Sequence, residues 1–174
     1  MTSDVDELVT ARLRLRALIP SDIDDLAALH SDPKVMLGRT GVAIPEGHSE
    51  TEAWLGRALA LPHGEGLGMF RVEYKTTGDF IGRGGIRPEA GTGQNEIVFA
   101  LRSDHWGSGL GTELGQALWE HAARSGLTAL VGDVLRGNVA SQRILKGLGM
   151  AFIREQPYVD GTIVLRFEGR PAAA

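Results

Sequence analysis

The feature that most limits how this chain can fold is a run of glycines set against the start of a helix. Residues 105–122 read "HWGSGLGTELGQALWEHA", with glycines at 107, 109 and 111. Leu110, Leu114, Ala117, Leu118 and His121 then recur at helical spacing. Glycine loses more backbone freedom on folding than any other residue, so three of them beside a helix need a physical reason. Two reasons stand open. The segment is a tight strand-to-helix turn, or it is a concavity of backbone N–H groups at the positive end of a helix, suited to a phosphate or pyrophosphate.

Better-known glycine motifs do not fit. A P-loop needs Gly-Lys-Ser/Thr, which the chain lacks. A dinucleotide fingerprint needs Gly-x-Gly-x-x-Gly, but the third position falls on Thr112 or Leu114, depending on the starting glycine. A nucleophile elbow needs a glycine two residues before Ser108, where Trp106 stands.

Composition narrows the rest. The 174 residues suffice for one domain, expected over 1–174 with 169–174 as a tail. The net charge of −4 weighs against nucleic acid as the main partner. With no cysteine, disulfides, thiolate metal sites and a cysteine nucleophile are excluded. No apolar window approaches the roughly 18 residues of a membrane span. "MTSDVDELVT" lacks the basic start and apolar run of a signal peptide, so the expected location is cytoplasmic. The histidines show no His-Glu-x-x-His spacing, and no metal is expected.

Periodicity orders the elements. "ARLRLRAL" alternates at period two and reads as a half-buried strand. Ser21 is the expected cap of a helix carrying Ile23, Leu26, Ala27 and Leu29, and a short helical piece follows near 32–37. Ser49 and Glu52 form an expected capping box ahead of Trp54, Leu55, Ala58 and Leu59. "LGMFRVEY" and "GDFIGRGGI" flank the turn "KTTG", and "NEIVFAL" puts Ile97, Phe99 and Leu101 on one face. After the glycine helix, "TALVGDVL" is a central strand. Asn138 caps a helix carrying Ile144, Leu145 and Leu148, and Asp160–Gly161 turns the last hairpin. The result is an α+β fold with helices on the faces of one sheet.

Three ordered stretches resemble the GNAT N-acetyltransferase superfamily. Trp106-Gly107-Ser108-Gly109-Leu110-Gly111 resembles its pyrophosphate loop, Gln/Arg-x-x-Gly-x-Gly/Ala, with Trp106 in the usual Gln/Arg place. "GDVLRGNVASQRILKGLGM" and "RLRLRALIPSDIDDLAALHSDPKV" resemble the strand–helix units of the branch containing ribosomal-protein-alanine N-acetyltransferases, and "IGRGGI" looks like its third strand. The likeness covers nearly the whole chain. It implies a mixed, mostly antiparallel seven-stranded sheet flanked by helices and splayed between the fourth and fifth strands.

The resemblance also implies the chemistry: an acetyl group passes from acetyl-CoA to a primary amine by direct attack. The acceptor would be a protein N-terminal amine or a small amine. Backbone from Trp106 to Thr112 would hold the pyrophosphate, including Gly107, Ser108, Gly109, Leu110 and Gly111. The edge Phe99–Leu101 would face the pantetheine arm, a backbone N–H near Leu101 would polarise the carbonyl, and Asn138 would contact the arm. Asp133 and Glu96 compete as general base. Glu73 and Glu113 read as solvent-facing. The tyrosine that serves many relatives as acid is replaced by Leu145, so Ser141 becomes the candidate, with Tyr158 as a fallback. That missing tyrosine also admits a catalytically idle acyl-CoA-binding sensor or interaction module. His105 could touch a phosphate, His121 reads as core, and Trp54 could border the acceptor site. The arginines of the first strand read as surface ion pairing. A homodimer through the last hairpin's strand edge is compatible with the sequence but not required by it.

Overall fold

Alternation builds the first strand of the expected set: Leu13 and Leu15 are fully buried while Arg14 and Arg16 stay half-exposed. The computed structural model describes residues 7–158 and 161–172. Along the chain lie β1 (Leu8–Val9), β2 (Leu13–Ala17), α1 (Ile23–His30), α2 (Pro33–Thr40), α3 (His48–Leu59), β3 (Gly68–Tyr74), β4 (Phe80–Pro88) and β5 (Asn95–Leu101). Then come α4 (Leu110–Arg124), β6 (Leu130–Leu135), α5 (Val139–Gly147), β7 (Ala151–Pro157) and β8 (Ile163–Gly169). All the strands join one sheet in the order β1-β2-β3-β4-β5-β6-β8-β7. Every pairing is antiparallel except β5 with β6. The sheet has eight strands rather than seven, because Leu8 and Val9 pair with Leu15 and Arg14 as a two-residue edge.

The two faces bury different residues of the same strands, as period two requires. On one side Phe70, Val72, Ile86, Ile97 and Leu101 pack with Leu110, Leu114 and Leu118 of α4 and Leu145 of α5. On the other, Met69, Phe80, Val98 and Ala100 pack with Leu26, Leu29, Val35 and Leu55 from α1, α2 and α3. Leu110, Leu114 and Leu118 are essentially inaccessible. Burying each contributes about 1.5–3 kcal/mol.

Two helix starts differ from expectation. Ser21 lies in a short 3-10 turn, Pro20–Asp22, and α1 begins at Ile23. Asp22 turns the chain instead, its carboxylate accepting Ile19 N–H (2.9 Å) and Arg16 (2.6 Å). α3 begins at His48 with Gly47 as cap, so Ser49 sits inside the first turn and the capping box is not formed. Asp160 of the last turn lies outside the described residues. Among those residues, no helix is long and apolar enough to cross a membrane.

Candidate active site

A gap opens in the sheet because β5 and β6 share one register pair, Glu96 with Val131. Beyond it each strand keeps its other neighbour: β5 follows β4 as far as Leu101, and β6 follows β8 as far as Leu135. Arg102 N–H donates to Ile81 O (2.9 Å), which makes Leu101 and Gly82 a non-hydrogen-bonded pair. The N–H and C=O of Leu101 therefore point away from β4, into the gap. The C=O is taken by the Trp106 indole N–H (2.9 Å). The Leu101 N–H is left facing the opening.

The glycine loop sits at the mouth of this gap. Gly107 (φ 76°) and Gly109 (φ 80°) take left-handed backbone that favours glycine. No side chain caps α4. Glu113 N–H bonds Gly109 O (3.1 Å), so the N–H groups of Leu110, Gly111 and Thr112 precede any intrahelical acceptor. They form an N-terminus carrying about half a positive charge. Gly111 has a packing reason of its own: a Cβ there would come within 3.0 Å of Ile144 Cδ1 on α5. Two of the three glycines therefore shape the loop, and the third lets two helices meet.

The loop's outer side is tied down. Arg12 Nη1 donates to Ser108 O (2.9 Å), and its Nε donates to Glu113 (2.7 Å). Thr10 donates to the same carboxylate (2.5 Å), and Ser108 Oγ donates to His105 O (2.7 Å). Glu113 is thus an anchor rather than a solvent-facing group. Those bonds hold its carboxyl below the usual carboxylate range, against the opposing effect of burial. His105 lies edge-on against Tyr74, its Nδ1 3.4 Å from the hydroxyl, so its ring partner is on β3.

The second motif lies across the gap. Asn138 caps α5, its Oδ1 accepting Ser141 N–H (3.1 Å), and its Nδ2 donates to Gly38 O on α2 (3.1 Å). α2 lies against both β5 and β6, roofing the gap. The Ser141 hydroxyl makes no hydrogen bond among the described residues, so it does not bond back to a helix carbonyl. Leu145, the position for which the family resemblance implied a tyrosine, is buried, with its Cδ1 2.8 Å from where a Cβ on Gly132 would stand. Tyr158 is exposed.

The carboxylates gather on the α1–α3 side of the sheet. Asp133 Oδ2 accepts Gln156 (3.1 Å) and Arg166 (3.3 Å), while Oδ1 is sealed and has no partner among the described residues. Glu96 accepts two bonds from Arg87 (2.9 and 2.8 Å). Burial pushes both carboxyls above their ordinary values, and Glu89 adds repulsion to each. Arg166 is meanwhile gripped by Glu89 (2.9 and 2.5 Å). Glu73, expected at the surface, is buried between Arg14 and Arg71, the latter at 2.9 Å. Two cations compensate its desolvation.

One more cluster lies on this face. Arg83 pairs in register with Ala100, one strand in from the gap. It is 5% exposed. Its guanidinium lies 4.3 Å from the centre of the Trp54 ring, and its Nε donates to His30 Nε2 (3.3 Å). Arginine only donates, so His30 carries its proton on Nδ1, beside Thr51 Oγ1 (3.2 Å) and Glu46 (3.4 Å). Burial, with Arg83 and Arg39 nearby, lowers His30 to about 3 and keeps it neutral. Burial, then Arg39 and Arg87, lower Arg83 to about 9, while Glu46 pulls the other way. Glu46 itself is paired with Arg39 (2.8 Å). His30, Glu46 and Arg83 went unflagged in the sequence. The one signal was Arg83 itself, a lone charge in the strand "FIGRGGI".

A mostly antiparallel sheet opened at one parallel pair, with a bare helix N-terminus at the mouth, is the architecture of an acetyltransferase of the GNAT type. Comparison with known proteins agrees. The model of the acetyltransferase (GNAT) domain matches residues 12–151. The uncharacterized protein YkkB of Bacillus subtilis is 31% identical over 152 residues, covering 84% of this chain and 86% of its own. A GNAT-family acetyltransferase from Bacillus anthracis superposes with a TM-score of 0.80 at 15% identity, covering 95% of this chain and 99% of its own. RimL, a ribosomal L7/L12 alpha-N-protein acetyltransferase solved with coenzyme A, gives 0.78 at 20% identity, covering 97% and 100%. The chain belongs to the GNAT acetyltransferase family.

Proposed function

We propose that this protein transfers an acetyl group from acetyl-CoA directly to a primary amine. The observation that carries the reading is the free Leu101 N–H in the gap, next to an uncapped helix start with two left-handed glycines. A pyrophosphate fits the N–H groups from Gly107 to Thr112, where the helix start has no side-chain cap and its field favours an anion. The donor's arm would lie along the unpaired edge of β5 past Phe99, as an added strand. RimL, of the same fold, is known with coenzyme A bound.

Bound acetyl-CoA supplies the thioester; the chain supplies position and proton handling. The Leu101 N–H would polarise the carbonyl and stabilise the charge that builds on its oxygen. Trp106 supports this by occupying the neighbouring C=O, which steadies the strand end. An amine is mostly protonated at neutral pH and must lose a proton before attack. Asp133 fits that task better than Glu96, since Arg166 holds it by one longer bond (3.3 Å) whereas Arg87 grips Glu96 by two (2.9 and 2.8 Å). Its raised pKa suits a base. Ser141 would donate to the departing thiolate, its hydroxyl making no hydrogen bond among the described residues. Asn138 would hold the roof over the gap and contact the donor's arm.

The amine class is a protein N-terminus, as the ribosomal branch suggests, or a small amine. An idle acyl-CoA-binding module remains a second reading, favoured by the buried Leu145 at the tyrosine position. Release of coenzyme A thiol from acetyl-CoA, followed over a panel of amines and N-terminal peptides, separates the two. Amine-dependent release is expected. Saturable acetyl-CoA binding with no release on any acceptor would instead support the module.

A further inference from the structure

The arginines on the α1–α3 face are treated unequally. Arg71 is held by Asp25 (2.5 Å), Glu73 (2.9 Å) and Asp22 (3.3 Å). Arg87 is held by Glu96, and Arg166 by Glu89 and Asp133. Arg83 stands directly across from Arg71 in the β3–β4 register. Among the described residues it has no carboxylate within 4.0 Å. Its two terminal nitrogens make no hydrogen bond there, yet neither is among the sealed unpartnered atoms, which are Glu46 Oε2, Asp133 Oδ1 and Arg166 Nε.

A buried guanidinium without a counter-charge is costly to keep. The surroundings do not lower that cost. His30 is neutral, and Glu46, whose charge acts on Arg83, is paired with Arg39. The cluster of Arg83, Arg39, Glu46 and neutral His30 carries one net positive charge. Trp54 and His30 fix the guanidinium plane from two sides. A planar fork held still, with its outer nitrogens empty, matches a carboxylate in two-point contact. One positive charge suits a monoanion better than a phosphate dianion.

Its place in the fold says what that anion belongs to. Between Arg83 and the gap lies β5, whose residue in register with Arg83 is Ala100, a single half-buried methyl. Strands lie about 4.8 Å apart, so a molecule whose amine reaches the gap has its next few atoms over Ala100 and Arg83. Asp133 lies on this same face, across the gap.

We propose that Arg83 binds a carboxylate of the acceptor, so that the acceptor is an amine bearing a carboxylate a few bonds from its nitrogen. This rests on the acetyl-transfer reading above and names the class of acceptor within it. Two sources share this chemistry: a free amino acid, and a peptide whose N-terminal residue has an acidic side chain.

The test uses matched acceptors with the full chain and saturating acetyl-CoA. Methionine, phenylalanine and glutamate are each compared with the α-amide, and hexapeptides starting with Asp or Glu with those starting with Asn or Gln. The expected result is a KM at least about tenfold lower for the acid of a pair, in one arm or the other. Arg83→Gln should abolish that preference while leaving acetyl-CoA stabilisation intact. Arg83→Lys, which keeps the charge but not the fork, should restore only part of it. Equal turnover of acids and amides, or turnover only of amines without a carboxylate, overturns the proposal and leaves acetyl transfer standing. If no amine turns over although acetyl-CoA binds, the transfer reading falls. The Arg83 site is then decided by melting temperature. Stabilisation of the wild type, and not of Arg83→Gln, by the acids alone supports it; no such stabilisation overturns it.

Discussion

The donor loop and the face beneath α1–α3 are built in opposite ways. The loop presents backbone: left-handed Gly107 and Gly109, a helix start without a side-chain cap, and the N–H groups these leave exposed. The opposite face works with side chains. It sets Arg71, Arg87 and Arg166 against carboxylates and, among the described residues, leaves Arg83 unmatched. A backbone site is held by local geometry and tolerates little added volume. A side-chain site is held by ion pairs between distant segments and is sensitive to charge. Perturbing each by its own weakness is the way to break the contrast.

The largest effect is expected at the loop. Gly109→Asp places a Cβ on a residue with φ 80° and a negative charge at the helix start. Acetyl-CoA affinity should fall beyond measurement, read as loss of thermal stabilisation, which for a ligand at a hundred times its dissociation constant is about 2.7 kcal/mol. A folded variant that still binds acetyl-CoA would remove the loop from the donor site.

Next comes the charged face. Asp133→Asn should lower kcat by about a hundredfold or more, the ordinary yield of a general base, with acetyl-CoA affinity unchanged. Because burial raises the Asp133 pKa, the wild-type acid limb of kcat/KM should lie above the ordinary aspartate value. Activity is lost as pH falls through that limb and the base takes up its proton. A normal rate in the variant would pass the role to Glu96. Ser141→Ala should cost roughly tenfold in kcat, at or below the low end for proton transfer, since a thiolate leaves readily. Full activity would remove it from the acid role.

Smaller effects sharpen the picture. Trp106→Phe deletes the bond to Leu101 O. At about 1 kcal/mol this should weaken acetyl-CoA binding several-fold. His30 gives a pH signature of stability. Its folded pKa is about 3, against 6.5 for the ordinary group, so the unfolded chain binds the extra proton. Its contribution is complete above about 6.5 and declines as pH falls toward 3. Comparing His30→Gln with the wild type by denaturant titration should show a shallower loss across that window. Identical pH slopes would mean that His30 is not held neutral.

How far the sequence reveals these two regions follows the same contrast. Two features of the donor loop, its left-handed glycines and the helix after it, are local, and adjacent letters carry them. β2, β5 and α4 show for the same reason, since burial imprints period 2 or 3.6 on neighbouring residues. Asn138 as a helix cap is also local. The charged face joins residues far apart: Glu73 meets Arg14 across 59 positions. The loop's anchor is equally distant, Glu113 meeting Arg12 across 101, so neither carboxylate could be distinguished from a solvated one by spacing. His30 and Arg83 are 53 positions apart, and only tertiary packing brings them together. Gly111 shows the limit within the loop itself: its neighbour Ile144 belongs to another helix, so its packing role could not be read from the run of glycines.

The central claim is that the gap between β5 and β6 carries acetyl from acetyl-CoA to an amine. It is tested most directly by mixing the protein with acetyl-CoA and the acceptor panel, then measuring free coenzyme A together with the acetylated amine by mass spectrometry. Equal amounts of both products in the wild type, and neither above background with Gly109→Asp, is the predicted result. Saturable acetyl-CoA binding without any acetylated amine, or equal product from the Gly109→Asp protein, would contradict it.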